Sequence, residues 1–247
     1  MNKILKRILW ILGSLVGLIV ILGLVYIFNF IAMTKHMNTS QTGLITGNVY
    51  AIKDSFVNMF LIKNGGKYIA IDGANSTKNV SRELVKLGIN ADSVDYVFLT
   101  HTDGDHVAAI KLFKNAKVYL SRPEEQLING KRTRFILNGN KIATKNYELL
   151  DDQQILNIGN IKIQGILTPG HTVGSMCYIV DDKYLFVGDA LRLKDGKIAP
   201  FKKFINMDWR EALRSMDKVA DLPGIEYIFT AHYGFTSDYK NAVKNWK

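Results

Sequence analysis

Six consecutive residues, His101-Thr102-Asp103-Gly104-Asp105-His106, place two imidazoles and two carboxylates directly after the apolar run at residues 94–100. Nitrogen and oxygen donors gathered at the end of a strand-like run are what a metal ion needs from a protein. The chain has only five histidines: His36, His101, His106, His171 and His232. His171 lies in the turn Pro169-Gly170-His171-Thr172 and His232 in Ala231-His232-Tyr233-Gly234, after β-rich runs at residues 161–167 and 225–230. Gly188-Asp189 follows another such run, residues 184–187. Donors therefore recur at strand ends, where a sheet can converge them. His36 stands apart and reads as an ordinary surface or hydrogen-bonded residue.

The elements that must position these donors are legible as patterns. Residues 49–53, 56–63 and 67–71 read as strands, with Asn64-Gly65-Gly66 as a hairpin turn. Asp72, in Ile71-Asp72-Gly73, reads as a structural turn that closes the meander. Residues 77–87 carry apolar side chains at helical spacing and end at Gly88, a helix with its C-cap. Residues 105–113 predict a second helix that starts inside the motif. A strand at 117–120 and a short helix opened by Pro123-Glu124-Glu125 follow. Residues 176–180 and 184–187 form a hairpin over Asp181-Asp182-Lys183, and helices are expected at 209–222 and 237–246. Strand groups interleaved with helices suit a layered α/β domain.

On these residues the chain resembles the metallo-β-lactamase superfamily. That family's signature is His-x-His-x-Asp-His, then a His in a Gly-His-Thr turn, an Asp in a Gly-Asp turn and a late His. Here the positions are His101, Asp103, Asp105 and His106, then His171, Asp189 and His232. The resemblance covers about residues 44–247 and departs at one place, Asp103, which stands where the family has a second His. It implies a four-layer αββα sandwich with the site on one edge between the sheets. It also implies two divalent ions, zinc foremost, with manganese or iron admitted by the carboxylate at Asp103. His101, Asp103 and His171 would hold the first ion and Asp105, His106 and His232 the second, with Asp189 bridging. A metal-bound hydroxide would then attack the substrate, with Asp105 as the catalytic carboxylate, so no Ser or Cys nucleophile is required.

The substrate follows less directly, because one fold hosts many reactions. Authentic β-lactamases of the family lack a bridging Asp at the position of Asp189, which argues against antibiotic hydrolysis. Esters, lactones or thioesters, from small molecules or the cell envelope, come first. A phosphodiesterase or nuclease-like hydrolase is the alternative, and a non-catalytic metal-binding surface scaffold a second. The scaffold is disfavoured because every family position holds a competent donor.

Residues 8–30 contain no charge, and 23 helical residues reach about 34 Å, enough to cross a hydrocarbon core. Lys3, Lys6 and Arg7 precede them, which predicts a cytoplasmic N-terminus and an extracytoplasmic domain. The run is long for a signal peptide and no small-x-small cleavage site follows. The expected organisation is a membrane anchor at 1–33, a polar tether at 34–43 and a hydrolase domain at 44–247.

The net charge is +10 from 32 basic and 22 acidic residues, and a surplus of six remains once the first 35 residues are set aside. Without a dense basic run this reads as a solvated surface, and no dedicated nucleic-acid binding is expected. The single cysteine, Cys177, excludes an internal disulfide and reads as a small buried hydrophobe. Arg192 and Tyr233 are candidates for the rim of the site, as are Lys194, Lys202 and Lys203, although a solvated loop explains them equally well.

Overall fold

The computed structural model describes residues 2–134 and 139–246. The chain divides into two compact units, residues 1–37 and residues 38–247. The first unit is one helix, α1 (Lys3–Thr34), capped by the Asn2 side chain, which accepts from the Ile4 N–H. At 1.5 Å per residue its 32 residues extend about 48 Å, and none of its side chains is buried. By length and composition it is able to cross a membrane.

The second unit is built on two sheets. The first runs β1 (Gly43–Thr46), β2 (Val49–Asp54), β3 (Val57–Asn64), β4 (Lys67–Ile71), β5 (Val94–Phe98), β6 (Lys117–Ser121) and β7 (Tyr147–Leu150), in that spatial order. Helix α2 (Thr77–Lys86) connects β4 to β5, one-turn α3 (Gly104–Val107) follows β5, and one-turn α4 (Glu125–Ile128) follows β6. The meander β1–β4 is antiparallel, whereas β4 to β7 pair in parallel.

The second sheet has the order β15-β14-β11-β10-β9-β8. Its strands are β8 (Ile155–Ile158), β9 (Ile161–Leu167), β10 (Met176–Val180), β11 (Tyr184–Phe186), β14 (Tyr227–Phe229) and β15 (Phe235–Thr236). Between β11 and β14 lie a separate hairpin, β12 (Arg192–Lys194) with β13 (Lys197–Ala199), and helix α5 (Trp209–Ala220); α6 (Tyr239–Val243) ends the fold.

The alternation of side chains along each strand decides how these pieces stack. Val49, Phe60, Ile69, Ile71 and Phe98 of the first sheet meet Ile163, Tyr178, Phe186 and Phe229 of the second in one buried cluster. The opposite face of the first sheet packs Ile52, Leu61 and Val97 against Val80 and Leu84 of α2. The opposite face of the second packs Cys177, Leu185 and Ile228 against Met216 and Val219 of α5 and Ala242 of α6. These layers are the expected αββα sandwich.

Three expectations needed correction. Residues 105–113 are not one helix: α3 stops at Val107 and a 3-10 turn spans Ile110–Leu112. The amides of Ala108 and Ala109 leave the helical ladder to bond the Ala74 and Gly73 carbonyls, at 3.0 and 2.7 Å. The polar segment 34–43 is not free chain from Asn38 onward. Buried Asn58 in β3 exchanges hydrogen bonds with the Ser40 N–H and C=O, at 2.8 and 2.9 Å, and Thr42 Oγ1 accepts from Lys53 N–H. The final helix, expected at 237–246, spans only Tyr239–Val243, and strands β1, β7, β8 and β15 and the β12–β13 hairpin went unforeseen.

Candidate metal centre

The sequence-selected donors lie beyond the C-terminal ends of four strands, Asp105 and His106 within α3. His101 follows β5, His171 follows β9, Asp189 follows β11 and His232 follows β14. Strands β9 and β11 each pair antiparallel with β10, and β11 pairs parallel with β14. All three therefore run the same way and deliver their C-terminal loops to one edge. Backbone bonds tie that edge to the first sheet: Met176 N–H donates to the Thr100 carbonyl and Asn58 N–H to the Ala231 carbonyl, at 2.8 and 2.7 Å. Gly188 makes the close approach of Asp189 feasible. Its φ is +52°, and a Cβ there would lie 2.4 Å from Thr100 Oγ1.

The seven side chains form overlapping donor groups: His101 with Asp103 and His171, His101 with His106 and Asp189, and Asp105 with His106 and His232. Within each group the donor atoms lie within 4.8 Å of one another. In the first, Asp103 Oδ2 stands 3.6 Å from His101 Nε2 and 3.4 Å from His171 Nε2. In the last, Asp105 Oδ2 is 3.9 Å from His106 Nε2 and 3.6 Å from His232 Nε2. Asp189 reaches both, with Oδ2 3.4 Å from His171 Nε2 and Oδ1 3.2 Å from His232 Nε2 and 3.6 Å from His106 Nε2.

These separations fit ligation. Donors 2.0–2.2 Å from a tetrahedral ion stand about 3.3–3.6 Å from each other. Most of the observed distances are too long for hydrogen bonds. His101 Nε2, His106 Nε2 and Asp189 Oδ1 are buried and have no hydrogen-bond partner. Buried polar atoms are seldom left so, and a shared cation satisfies all three at once.

The far side of the rings fixes which nitrogen faces inward. His106 Nδ1 bonds Asp72 Oδ2 at 2.9 Å, and His232 Nδ1 donates to the Phe56 carbonyl at 2.7 Å. Thr100 Oγ1 donates to Asp72, so its lone pair is left to accept from His101 Nδ1 at 3.1 Å. These three rings thus carry a proton on Nδ1 and turn Nε2 to the centre, whereas His171 Nε2 lies 3.1 Å from an Arg134 nitrogen. Asp72 is the turn residue read from sequence, at φ +63°, but its carboxylate also orients His106.

The electrostatics favour a cation. Burial pulls the His106 imidazole down, yet the carboxylates of Asp72, Asp189 and Asp105 outweigh it and push the group up to about 10. Burial and Asp189 act the same way on His232, with a net rise. Burial pushes the Asp189 carboxyl up, but the surrounding imidazoles hold it well below its usual range, and His101, His171 and Arg134 do the same for buried Asp103. His171 behaves oppositely, lowered to about 4 by burial and then by the Arg134 guanidinium.

Sequence reasoning missed three residues. Arg134 sets Nε 2.9 Å from Asp103 Oδ2 and donates to the carbonyls of His171 and, at 2.7 Å, Ile205. Asn140 Nδ2 donates to Asp103 Oδ1 at 3.1 Å and to Thr102 Oγ1 at 3.0 Å. Glu124 is fully buried and bonds Thr102, Thr172 and Gly174. Only Glu124 carried a sequence signal, a carboxylate just past the end of a strand. Phe56 stacks on His232 at 5.8 Å, and Phe201 lies 6.1 Å from both His171 and His232. Of the expected rim residues, Arg192 lies over the Tyr233 ring at 5.8 Å and donates to the Pro200 carbonyl. Cys177 is buried, as its apolar run implied.

Residues 52–232 match the family profile described as the metallo-beta-lactamase superfamily. A probable polyketide biosynthesis zinc-dependent hydrolase of Bacillus subtilis is 37% identical over 99 residues, 38% of either chain. A probable metallo-hydrolase of Methanocaldococcus jannaschii is 31% identical over 163 residues, 64% of this chain and 68% of that protein. Among solved structures, a B3 metallo-beta-lactamase with an active-site glutamic acid aligns over 87% of this chain and 90% of its own. Its TM-score is 0.67 at 21% identity, a likeness of fold. With the family profile spanning most of the two-sheet unit and all the motif positions filled, the chain belongs to the metallo-beta-lactamase superfamily.

Proposed function

We propose that this chain is a membrane-anchored metal-dependent hydrolase that holds two divalent ions, zinc foremost, and cleaves an ester, lactone or thioester bond. The observation that carries the reading is Asp189, whose two oxygens face the two donor groups separately. His101, Asp103 and His171 would hold one ion and Asp105, His106 and His232 the other, with Asp189 within reach of both groups. Bound there, the ions supply Lewis acidity that polarises a substrate carbonyl and makes water nucleophilic near neutral pH. The zinc-dependent description of the Bacillus subtilis relative supports the choice of metal.

The chain's own groups do the rest. Asp72, Thr100 and the Phe56 carbonyl keep the Nδ1 protons of three rings and so leave Nε2 free to ligate. Asp105 is the most exposed carboxylate of the set, with a side chain 26% accessible against 14% for Asp103 and 9% for Asp189. It is therefore the group placed to take a proton from water and return it to the leaving group. Phe56 and Phe201 give the site aromatic walls. Arg134 is engaged with Asp103 and two carbonyls, and Arg192 with Pro200 and Tyr233. Such walls suit an uncharged acyl group better than a phosphodiester, which calls for cations aimed at its oxygens. The bridging Asp189 also favours these substrates over β-lactams.

Helix α1, with Lys3, Lys6 and Arg7 ahead of its uncharged span, supports an anchor with the hydrolase unit outside the cytoplasm. The test is metal analysis of the detergent-solubilised full chain, then a panel of esters, lactones, thioesters, β-lactams and bis-p-nitrophenyl phosphate. Two ions per chain with turnover confined to the esters, lactones or thioesters is the expected result, and Asp189→Ala should lose most of it. One ion or fewer at full activity refutes the binuclear reading.

A further inference from the structure

Glu124 carries a role that the ligand set leaves unassigned. It lies at the end of the turn after β6, with no solvent exposure. Its Oε1 accepts from the Thr102 N–H and the Thr102 hydroxyl, both at 2.7 Å. Its Oε2 accepts from the Thr172 hydroxyl at 2.6 Å and from the Gly174 N–H at 3.1 Å. Two backbone amides and two hydroxyls placed to donate suit the ionised carboxylate. Burial pushes the Glu124 carboxyl up and its hydrogen-bond donors pull it part of the way back, so a cation close by favours the ionised form further.

The partners are the neighbours of the first donor group. Thr102 lies between His101 and Asp103, and Thr172 directly follows His171. The carboxylate thus joins, oxygen by oxygen, the two loops that carry all three of those donors. The second group is held by other means: His106 by Asp72, and His232 by the Phe56 carbonyl. The loop after His171 is fitted to this contact. A Cβ on Gly174 would fall 2.1 Å from the Glu124 nitrogen, and Ser121 Oγ donates to the Gly174 carbonyl at 2.5 Å.

We infer that Glu124 is the positioning residue of the first metal group, setting the distance between the His101–Asp103 loop and the His171 loop. The inference rests on the binuclear reading above. A divalent ion in that group also answers the buried charge. Glu124 touches no substrate and ligates no ion; it acts through Thr102 and Thr172.

The geometry explains why glutamine does not substitute. Glu124→Gln keeps size and shape, and one oxygen still accepts from Thr102. Its NH2 then faces the Gly174 N–H, and the two loops lose their common acceptor. Removing an outer partner of this kind weakens metal affinity about 10- to 100-fold.

The experiment is zinc titration of the full chain in detergent, stripped of metal, against a chromogenic chelator that resolves two dissociation constants. Wild type, Glu124→Gln, Asp72→Asn and the double variant are compared. Glu124→Gln should weaken one ion about 10- to 100-fold and leave the other within about twofold. Asp72→Asn should weaken chiefly the ion that Glu124→Gln spares, because Asp72 bonds His106 directly and reaches His101 only through Thr100, and the double variant should weaken both. Two ions bound with unchanged affinities in Glu124→Gln overturn the inference alone, as does weakening confined to one and the same ion in both single variants. Equal weakening of both ions with a lowered melting temperature of the stripped protein also overturns it, since Glu124 would then only hold the fold. A wild-type chain that binds one ion or fewer overturns the binuclear reading and the inference with it. If Glu124→Gln does not fold, Thr172→Val removes one of the four bonds and reads the same ion: selective weakening supports the inference and unchanged affinities refute it.

Discussion

Asp72→Asn acts directly on the orientation of one ligand, His106, and reaches His101 only through the Thr100 hydroxyl. Asp72 sits at φ +63°, a conformation that Asn tolerates, so the substitution adds little backbone strain. Its Oδ1 accepts from the Thr100 N–H at 2.8 Å, and its Oδ2 takes His106 Nδ1 at 2.9 Å and Thr100 Oγ1 at 2.8 Å. An amide has one acceptor end. If it keeps the Thr100 N–H, its NH2 opposes the imidazole N–H; if it turns over, the NH2 opposes the Thr100 N–H. Either orientation strands a buried donor, at a cost of about 1–3 kcal/mol. It also removes the anion that keeps the His106 proton on Nδ1. The expected loss is about 10- to 100-fold in affinity for the ion held by Asp105, His106 and His232, or about 1.4–2.7 kcal/mol. Chelator competition on metal-stripped protein reads this directly, with circular dichroism confirming the fold. Unchanged affinity would refute the argument that the Asp72 carboxylate orients His106. A change confined to the other ion would refute the pairing of His106 with Asp105 and His232.

The pH dependence of metal uptake has a definite sign. With His106 pushed up to about 10, an ion arriving at pH 7 must displace a proton, so apparent affinity should climb up to about tenfold per pH unit and flatten above about 10. In the stripped protein the raised group contributes stability that is full below its unfolded value of about 6.5 and is lost as pH rises through about 10. Melting temperatures falling across that window check it, and a flat profile contradicts it. Asp103→His should raise preference for zinc over manganese without abolishing hydrolysis, because an imidazole replaces a harder carboxylate. Metal content and rate that survive Asp103→Ala would make Asp103 a turn residue only. Protease added to spheroplasts should digest the hydrolase unit and leave a protected fragment containing α1; protection of the whole chain until lysis would invert the topology.

The donors and the layered fold were readable because both rest on local pattern. His101 to His106 form one short cluster, and strands such as β3 and β9 announce themselves by β-branched and apolar runs bounded by Gly turns. The residues that complete the centre were not, because their significance is purely tertiary. Arg134 lies in a polar stretch with no periodicity and reaches Asp103 and His171 only through the fold. Asn140 is equally silent in sequence. The failed helix at 105–113 has a similar cause: its apolar spacing is helical, but the Gly73 and Ala74 carbonyls take two of its amides. The polar segment expected as a tether at 34–43 joins the second unit from Asn38, because Asn58, a polar residue inside a strand, finds its partners at Ser40.

The dispersal of the donors along the chain has a consequence for biogenesis. His101 and His232 are separated by 131 positions, and the second sheet must be assembled before its three loops stand beside the first motif. The binding atoms therefore do not exist as a set in any nascent fragment that lacks β14. On the proposed metal reading, the complete donor set can bind only once the second sheet is in place, and binding then favours the finished topology by RT ln(1 + [L]/Kd). On that reading, a chain that misassembles its second sheet should stay metal-poor and more open to proteolysis, so metal content would mark which copies have matured.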